Sequence, residues 1–163
     1  MKKELLAGAI ALVFSASAFA DRVDAASVVL PESTDFSKIA TQAAGEGVPV
    51  MMYFAARSCD YCERLEANIL KPMIMAGEDR GRVLINKVML DGDTMVRDFK
   101  GAAISTSDLA FFYGVKVTPT LVFTDQNGRA VARNLVGYNG SDFFSAYMDE
   151  AIEAAKKQVP ARM

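Results

Sequence analysis

Apolar positions recur along the chain in two different periods, and the alternation between those periods predicts the elements. Leu5 to Phe14 is an unbroken apolar run behind Lys2 and Lys3, whereas Asp21 to Pro31 mixes small and apolar residues without a period and predicts at most one short strand near Val28. Phe36, Ile39, Ala40 and Ala43 then fall three and four apart, which is the spacing of one helix face; Ser33 or Thr34 can cap its start and Gly45 its end. Val50 to Ala56 is apolar at all seven positions. A strand covered on both faces in the middle of a sheet has that pattern.

Arg57-Ser58-Cys59-Asp60-Tyr61-Cys62 follows directly, and from Cys62 the apolar positions Leu65, Ile69 and Met73 return to a helical period that Pro72 is expected to kink. Val83 to Leu90 predicts another strand, and the polar, glycine-punctuated Asp91 to Gly101 a loop. A short helix starts at Ser107, runs through Leu109, Phe112 and Tyr113, and stops at Gly114. Val115 to Thr124 is β-rich although it contains Pro119, and Asp125-Gln126-Asn127-Gly128 turns it into a second strand over Arg129 to Val136. Gly140 and Ser141 cap a last helix with an apolar stripe of Phe143, Phe144, Tyr147, Met148, Ala151, Ile152 and Ala155. Lys156 and Lys157 suit its C-terminal end.

The predicted order is α, β, α, β, α, β, β, α, with no repeat and no long linker. It fits an α/β fold in which one central mixed β-sheet is flanked by helices on both faces. At 163 residues, 52% hydrophobic and 23% charged, the chain has the make-up of one globular domain. The basic, apolar and small-residue segments of the first twenty residues occur in the order of a cleavable export signal, with Ala18-Phe19-Ala20 at the cut. The expected divisions are therefore a signal peptide over 1–20, an N-terminal leader over 21–32 and the folded domain over 33–160. No stretch reaches the roughly 20 apolar residues of a membrane-spanning helix, so a soluble periplasmic protein is expected. Cleavage would remove Lys2, Lys3 and Glu4, taking the formal charge from −2 to −3. A charge so mild does not attract nucleic acid.

Export directs attention to the two cysteines, because disulfides form and persist in oxidising compartments. A C-x-x-C pair can be a redox couple, half of a zinc site or a haem attachment site. With two cysteines and no histidine in the chain, a four-ligand N/S zinc site cannot be assembled, and Glu63 stands where haem attachment needs a histidine. A disulfide closing so short a loop is also a poor structural staple. A redox pair remains. At the predicted helix start, Cys59 lies where unpaired N–H groups stabilise a thiolate, which makes it the attacking sulfur; Cys62, one turn on and facing the core, is the resolving one. Asp60 sets a negative charge beside that thiolate, and a histidine there would make a stronger oxidant, so the pair is expected to act as a reductant or at moderate potential. Tyr61 is either a substrate-contacting surface or a packed neighbour.

In these features the chain resembles the thioredoxin superfamily: a buried strand before Cys59-Asp60-Tyr61-Cys62, then Val117-Thr118-Pro119-Thr120 leading a strand, and Gly137 after the last strand. Leu121-Val122-Phe123, Asp125 to Gly128 and Leu135-Val136-Gly137-Tyr138 resemble the periplasmic SoxW-type branch. The resemblance implies a thioredoxin fold, a cis peptide bond at Pro119 facing the cysteines, substrate contact through Thr118, Pro119, Tyr61 and Gly137, no cofactor beyond the disulfide, and a membrane electron donor of the DsbD type. The alternative is a trans proline of an edge strand, but a threonine–proline pair at this place in the strand order favours the cis form. The chain departs from cytoplasmic thioredoxins at two places, with Ser58 for the tryptophan before the first cysteine and Tyr53 for the buried acid six positions ahead of it. Proton exchange with Cys62 must then use another group or water, Lys87 and Glu63 being the candidates.

Nine methionines, Met51, Met52, Met73 and Met75 among them, are accounted for by core packing before soft-metal binding. Asp91, Asp93 and Asp98 lack calcium-site spacing. The expected function is reduction of protein disulfides outside the cytoplasm by a monomer whose partners are protein thiols and disulfides. Net oxidation or isomerisation, or a thiol-based copper chaperone, are the alternatives.

Overall fold

The computed structural model describes residues 28–160. The expected export signal over 1–20 and the expected leader as far as residue 27 lie outside the described residues. In chain order the elements are α1 (Phe36–Glu46), β1 (Val50–Ala55), α2 (Asp60–Leu65), a π-helical turn (Glu66–Leu70), α3 (Lys71–Ala76), β2 (Leu84–Met89), β3 (Met95–Arg97), β4 (Ala103–Ser105), α4 (Thr106–Phe112), β5 (Thr120–Thr124), β6 (Leu135–Val136) and α5 (Ser141–Lys156).

The main sheet has the order β2-β1-β5-β6. β1 runs parallel to β2 and antiparallel to β5, and every one of its residues is buried, as its unbroken apolar run predicts. Because side chains alternate across a strand, β1 feeds two cores. Met51, Tyr53 and Ala55 pack with Leu65, Ile69, Leu70 and Met73 of the second helical stretch and with Met148 and Ile152 of α5. Val50, Met52 and Phe54 pack on the other face with Phe36 and Ala43 of α1 and Leu109 and Ala110 of α4. Helices therefore cover both faces of one mixed sheet, and no helix among the described residues is long and apolar enough to cross a membrane.

Several local expectations are corrected. Asp35, one residue beyond Ser33 and Thr34, caps α1 by accepting from the Ser37 N–H at 3.1 Å, and the helix passes through Gly45 to end at Gly47, whose φ of 65° suits glycine. Near Pro72, where a kink is expected, the helix changes to a π turn: the Lys71 N–H donates to the Glu66 carbonyl five residues back, and Pro72 falls in the first turn of α3. Within the predicted loop over Asp91 to Gly101 lies β3, which pairs with β4 just after it as a small antiparallel ribbon; its shortness and the single buried Val96 hid it. Ser105 caps α4 two residues before the expected start at Ser107. The strand expected over Arg129 to Val136 shrinks to an Ala130 bridge and β6, and the one expected near Val28 is a single bridge from Glu32 to Lys87. In α5 the predicted stripe divides, with Met148, Ala151, Ile152 and Ala155 buried while Phe143 and Tyr147 face outward.

The turn after β5 depends on one glycine. Gly128 has φ of 77°, and a Cβ there would stand 2.7 Å from Phe99 Cδ2, on a ring that stacks against Phe36 with 5.5 Å between centroids. Gly128→Ala combines a left-handed backbone with overpacking, so the expected loss is about 2–4 kcal/mol in urea unfolding. A loss below about 0.5 kcal/mol would show that the ring swings aside freely.

Candidate active site

β1 ends at Ala55, and four residues later Cys59 forms the N-cap of α2 in an extended conformation. This is the strand-to-helix placement that the apolar pattern implied. Cys59 and Cys62 are joined by a disulfide, with their Cα atoms 5.2 Å apart. Cys59 Sγ accepts the Cys62 N–H at 3.1 Å, and the Cys59 carbonyl accepts the N–H groups of Cys62 and Glu63 at 2.9 and 3.1 Å. The sulfur thus occupies the place of a capping oxygen and shares the Cys62 N–H with the Cys59 carbonyl.

A second segment closes over the pair. Thr118 Oγ1 lies 3.4 Å from Cys59 Sγ, the Thr118–Pro119 peptide bond is cis, and the Pro119 carbonyl accepts the Gly137 N–H at 2.8 Å. The β5 segment therefore links Cys59 to the loop after β6, so the structure brings together Cys59, Cys62, Thr118, Pro119 and Gly137. Pro119 is buried and Thr118 half-buried. Asp60 and Tyr61 instead project outward from the first turn of α2. Tyr61 is 49% exposed, with the Arg64 guanidinium 4.5 Å from its ring centroid, which makes it surface rather than core. Val117 and Val136 are also exposed, at 53% and 64%, on the segments carrying Pro119 and Gly137.

Beneath Cys62 lies a polar group that pattern reasoning missed. Tyr53 is fully buried, and its hydroxyl reaches the Cys62 carbonyl at 3.3 Å and Glu66 Oε1 at 3.1 Å. Lys87 Nζ meets the same Glu66 oxygen at 2.8 Å and lies 5.9 Å from the Tyr53 ring centroid. Burial, and then the Glu66 charge, push the Tyr53 phenol far above its ordinary range, so it stays protonated. Of the two candidates for proton exchange, Lys87 belongs to this group, whereas Glu63 is exposed on the outer side of α2. Glu66 carried a usable signal in its position: it follows Cys62 by four residues, on the same helix face.

The acidic loop also has work at the site. Asp91 Oδ2 accepts the Arg57 N–H at 2.7 Å and so ties the segment leading into Cys59 to the end of β2. Asp93 accepts from the Ser107 N–H at the start of α4, and Asp98 from the N–H groups of Lys100 and Ala102. Among the described residues no three histidine, cysteine, aspartate or glutamate side chains gather in an arrangement able to hold a metal. Met51, Met52 and Met73 are buried in the cores, where they fill volume.

A family model described as a thioredoxin-like domain matches residues 36–152. No curated protein matches the sequence. Among solved structures the chain is similar to a thioredoxin-fold protein from Helicobacter pylori, with 21% identity over 80% of this chain and 88% of that one and a TM-score of 0.54. It is also similar to a thioredoxin from Malassezia sympodialis, with 21% identity over 79% and 95% of the two chains and a TM-score of 0.51. For mitochondrial thioredoxin 3 from Saccharomyces cerevisiae, in its oxidised form, the figures are 18%, 76%, 93% and 0.50. At these identities the likeness is one of fold.

Proposed function

The chain belongs to the thioredoxin-like domain family, a branch of the thioredoxin superfamily, and from that premise we propose that it reduces disulfides of exported proteins by attack of Cys59 and resolution by Cys62. It is a thiol–disulfide oxidoreductase. The observation that carries the division of roles is the Cys59 sulfur at the helix N-cap, facing the Cys62 N–H and the Thr118 hydroxyl, while Cys62 lies inside the first turn with 2% exposure. Hydrogen-bond donors aimed at Cys59 Sγ favour its thiolate, and the thiolate is the nucleophile.

In the reduced protein the Cys59 thiolate attacks one sulfur of a substrate disulfide, whose other sulfur leaves as a thiolate and takes a proton. Cys62, once deprotonated, attacks Cys59 Sγ; the mixed disulfide breaks, the second substrate thiolate departs, and the Cys59–Cys62 disulfide forms. Two electrons have then passed to the substrate. The exposed Tyr61, Val117 and Val136 border the site, and the substrate strand is proposed to lie along Thr118 and Pro119, near Gly137.

Reduction as the working direction is favoured by Asp60 and by the absence of histidine between the cysteines. Export by Met1–Ala20, the SoxW-type branch, a monomeric state and recharging by a membrane donor of the DsbD type are parts of the same reading. The deciding measurement is the reduction potential of the pair. The reductase reading expects a value near thioredoxin's, about −270 mV, and a value near DsbA's, about −120 mV, would overturn it. Copper retained through purification with no turnover of insulin disulfides would point instead to a metal carrier.

A further inference from the structure

The resolving step leaves one requirement without a residue, namely a group to take the proton from the buried Cys62 thiol. Tyr53, six positions before Cys59, is itself unsuited, since burial and the neighbouring carboxylate keep its phenol protonated. Its single hydroxyl proton has two acceptors in reach, the Cys62 carbonyl and Glu66 Oε1, and the charged oxygen is the stronger. Tyr53 and Lys87 therefore hold Glu66 in place, and both do so at Oε1. Among the described residues no donor occupies Oε2.

Glu66 is also tied to Cys62 through the main chain. Its N–H donates to the Cys62 carbonyl, and residues four apart on a helix have Cβ atoms about 5–6 Å apart on one face. The spacing sets the carboxylate on the same helix face as the Cys62 thiol. The helix opens into its π turn at Glu66, where the pitch changes from that of α2. Such turns are rare and occur frequently at functional sites. With side-chain exposures of 16% for Glu66 and 18% for Lys87, this is a partly buried ion pair beside the disulfide.

Resting on the thiol–disulfide reading above, we propose that Glu66 is the proton acceptor for Cys62 during resolution, positioned by Tyr53 and Lys87. The Cys62 S–H bond breaks as a proton passes to Glu66, and the sulfur electron pair forms the bond to Cys59 Sγ. The bond from Cys59 to the substrate breaks, and the departing substrate thiolate is protonated, from solvent or from Glu66. In the reverse direction Glu66 returns the proton to Cys62. The groups around Glu66 are Tyr53 from β1, Lys87 from β2, and Cys62 and the outward Glu63 from α2. Glu32 faces Lys87 from the N-terminal segment, Asn68 of the π turn binds the Tyr138 hydroxyl at 3.3 Å, and Asp149 and Glu153 of α5 are engaged by Arg82. Lys87 is the one cation among them that contacts Glu66.

The test uses the reduced, full-length protein mixed with an equimolar aromatic disulfide that releases a coloured thiolate, one on attack by Cys59 and a second on resolution by Cys62. Glu66→Gln is expected to slow the second release about 100-fold near neutral pH while the first stays within a few-fold. Glu66→Asp should recover at least about a tenth of the wild-type rate. In the wild-type protein the second release should change little with pH across the neutral range, because the proton passes to a bound carboxylate and not to hydroxide. In Glu66→Gln it should climb about tenfold per pH unit, as expected for hydroxide or water-borne deprotonation. A second release unchanged in Glu66→Gln, or slowed equally in Glu66→Gln and Glu66→Asp, would overturn the assignment. So would a wild-type profile climbing throughout the neutral range, a measurement that needs no variant to fold. Loss of the first release in the wild-type protein would instead sink the oxidoreductase reading, and this inference with it.

Discussion

Cys59→Ser lowers insulin-disulfide reduction to the uncatalysed background, whereas Cys62→Ser leaves substrate proteins attached to the enzyme as mixed disulfides that a reductant releases. The asymmetry follows from the two positions. A serine hydroxyl at the N-cap accepts the same N–H bonds as the Cys59 sulfur but is not ionised near neutrality, so the attacking anion is lost with little change in fold. At position 62 the first step survives, because Cys59 keeps its N–H from residue 62 and its Thr118 contact. The intramolecular escape from the mixed disulfide is what disappears. Non-reducing gel electrophoresis after acid quenching reads both outcomes. Adducts that accumulate in Cys59→Ser and not in Cys62→Ser would reverse the role assignment.

The largest loss of stability is expected at Phe54. This side chain has no exposed surface and lies on the core face opposite Tyr53, among Phe36, Met52, Val88, Leu109 and Val122. Its strand is one of the sheet's two inner strands, flanked by β2 and β5, and is held by hydrogen bonds on both sides, so the backbone cannot collapse into the space left by truncation. Phe54→Ala should therefore cost about 3–5 kcal/mol, a large share of the 5–15 kcal/mol that holds a domain of this kind. Urea unfolding should show a lower midpoint with an unchanged slope. A loss under about 1.5 kcal/mol would mean that α1 and α4 close over the cavity. Because Phe54 points away from the disulfide, the surviving folded fraction should retain its rate of disulfide attack.

How much was legible from the sequence varies with the range of the interaction that decides each feature. β1 and the cysteine pair at its exit were readable, since an unbroken apolar run, a turn and a helical period are all local signals. The amphipathic helices were readable for the same reason, but their ends were not. Asp35 took the cap of α1 from Ser33 and Thr34, and Gly45 stayed helical, because caps are chosen by backbone geometry among neighbouring residues of similar chemistry. The apolar stripe of α5 was a correct pattern with a misleading reach: Phe143 and Tyr147, in its first two turns, stay exposed beside the two-residue β6, while Ile152 is buried.

The redox pair, its strand-to-helix placement and the family likeness thus follow from residues close together in the chain. The surroundings of that pair do not. Thr118 reaches Cys59 across 59 positions, Asp91 reaches Arg57 across 34, and Tyr53 reaches Glu66 across 13. The parallel register of β1 with β2 sets Lys87 beside Tyr53, and the helix starting at Cys59 lays Glu66 over both. In the sequence Glu66 offers only its place four residues after Cys62, which does not by itself separate it from a solvated surface charge. Only chain packing, by removing water and supplying a cation and a hydroxyl to the same oxygen, turns Glu66 into a group able to act on Cys62.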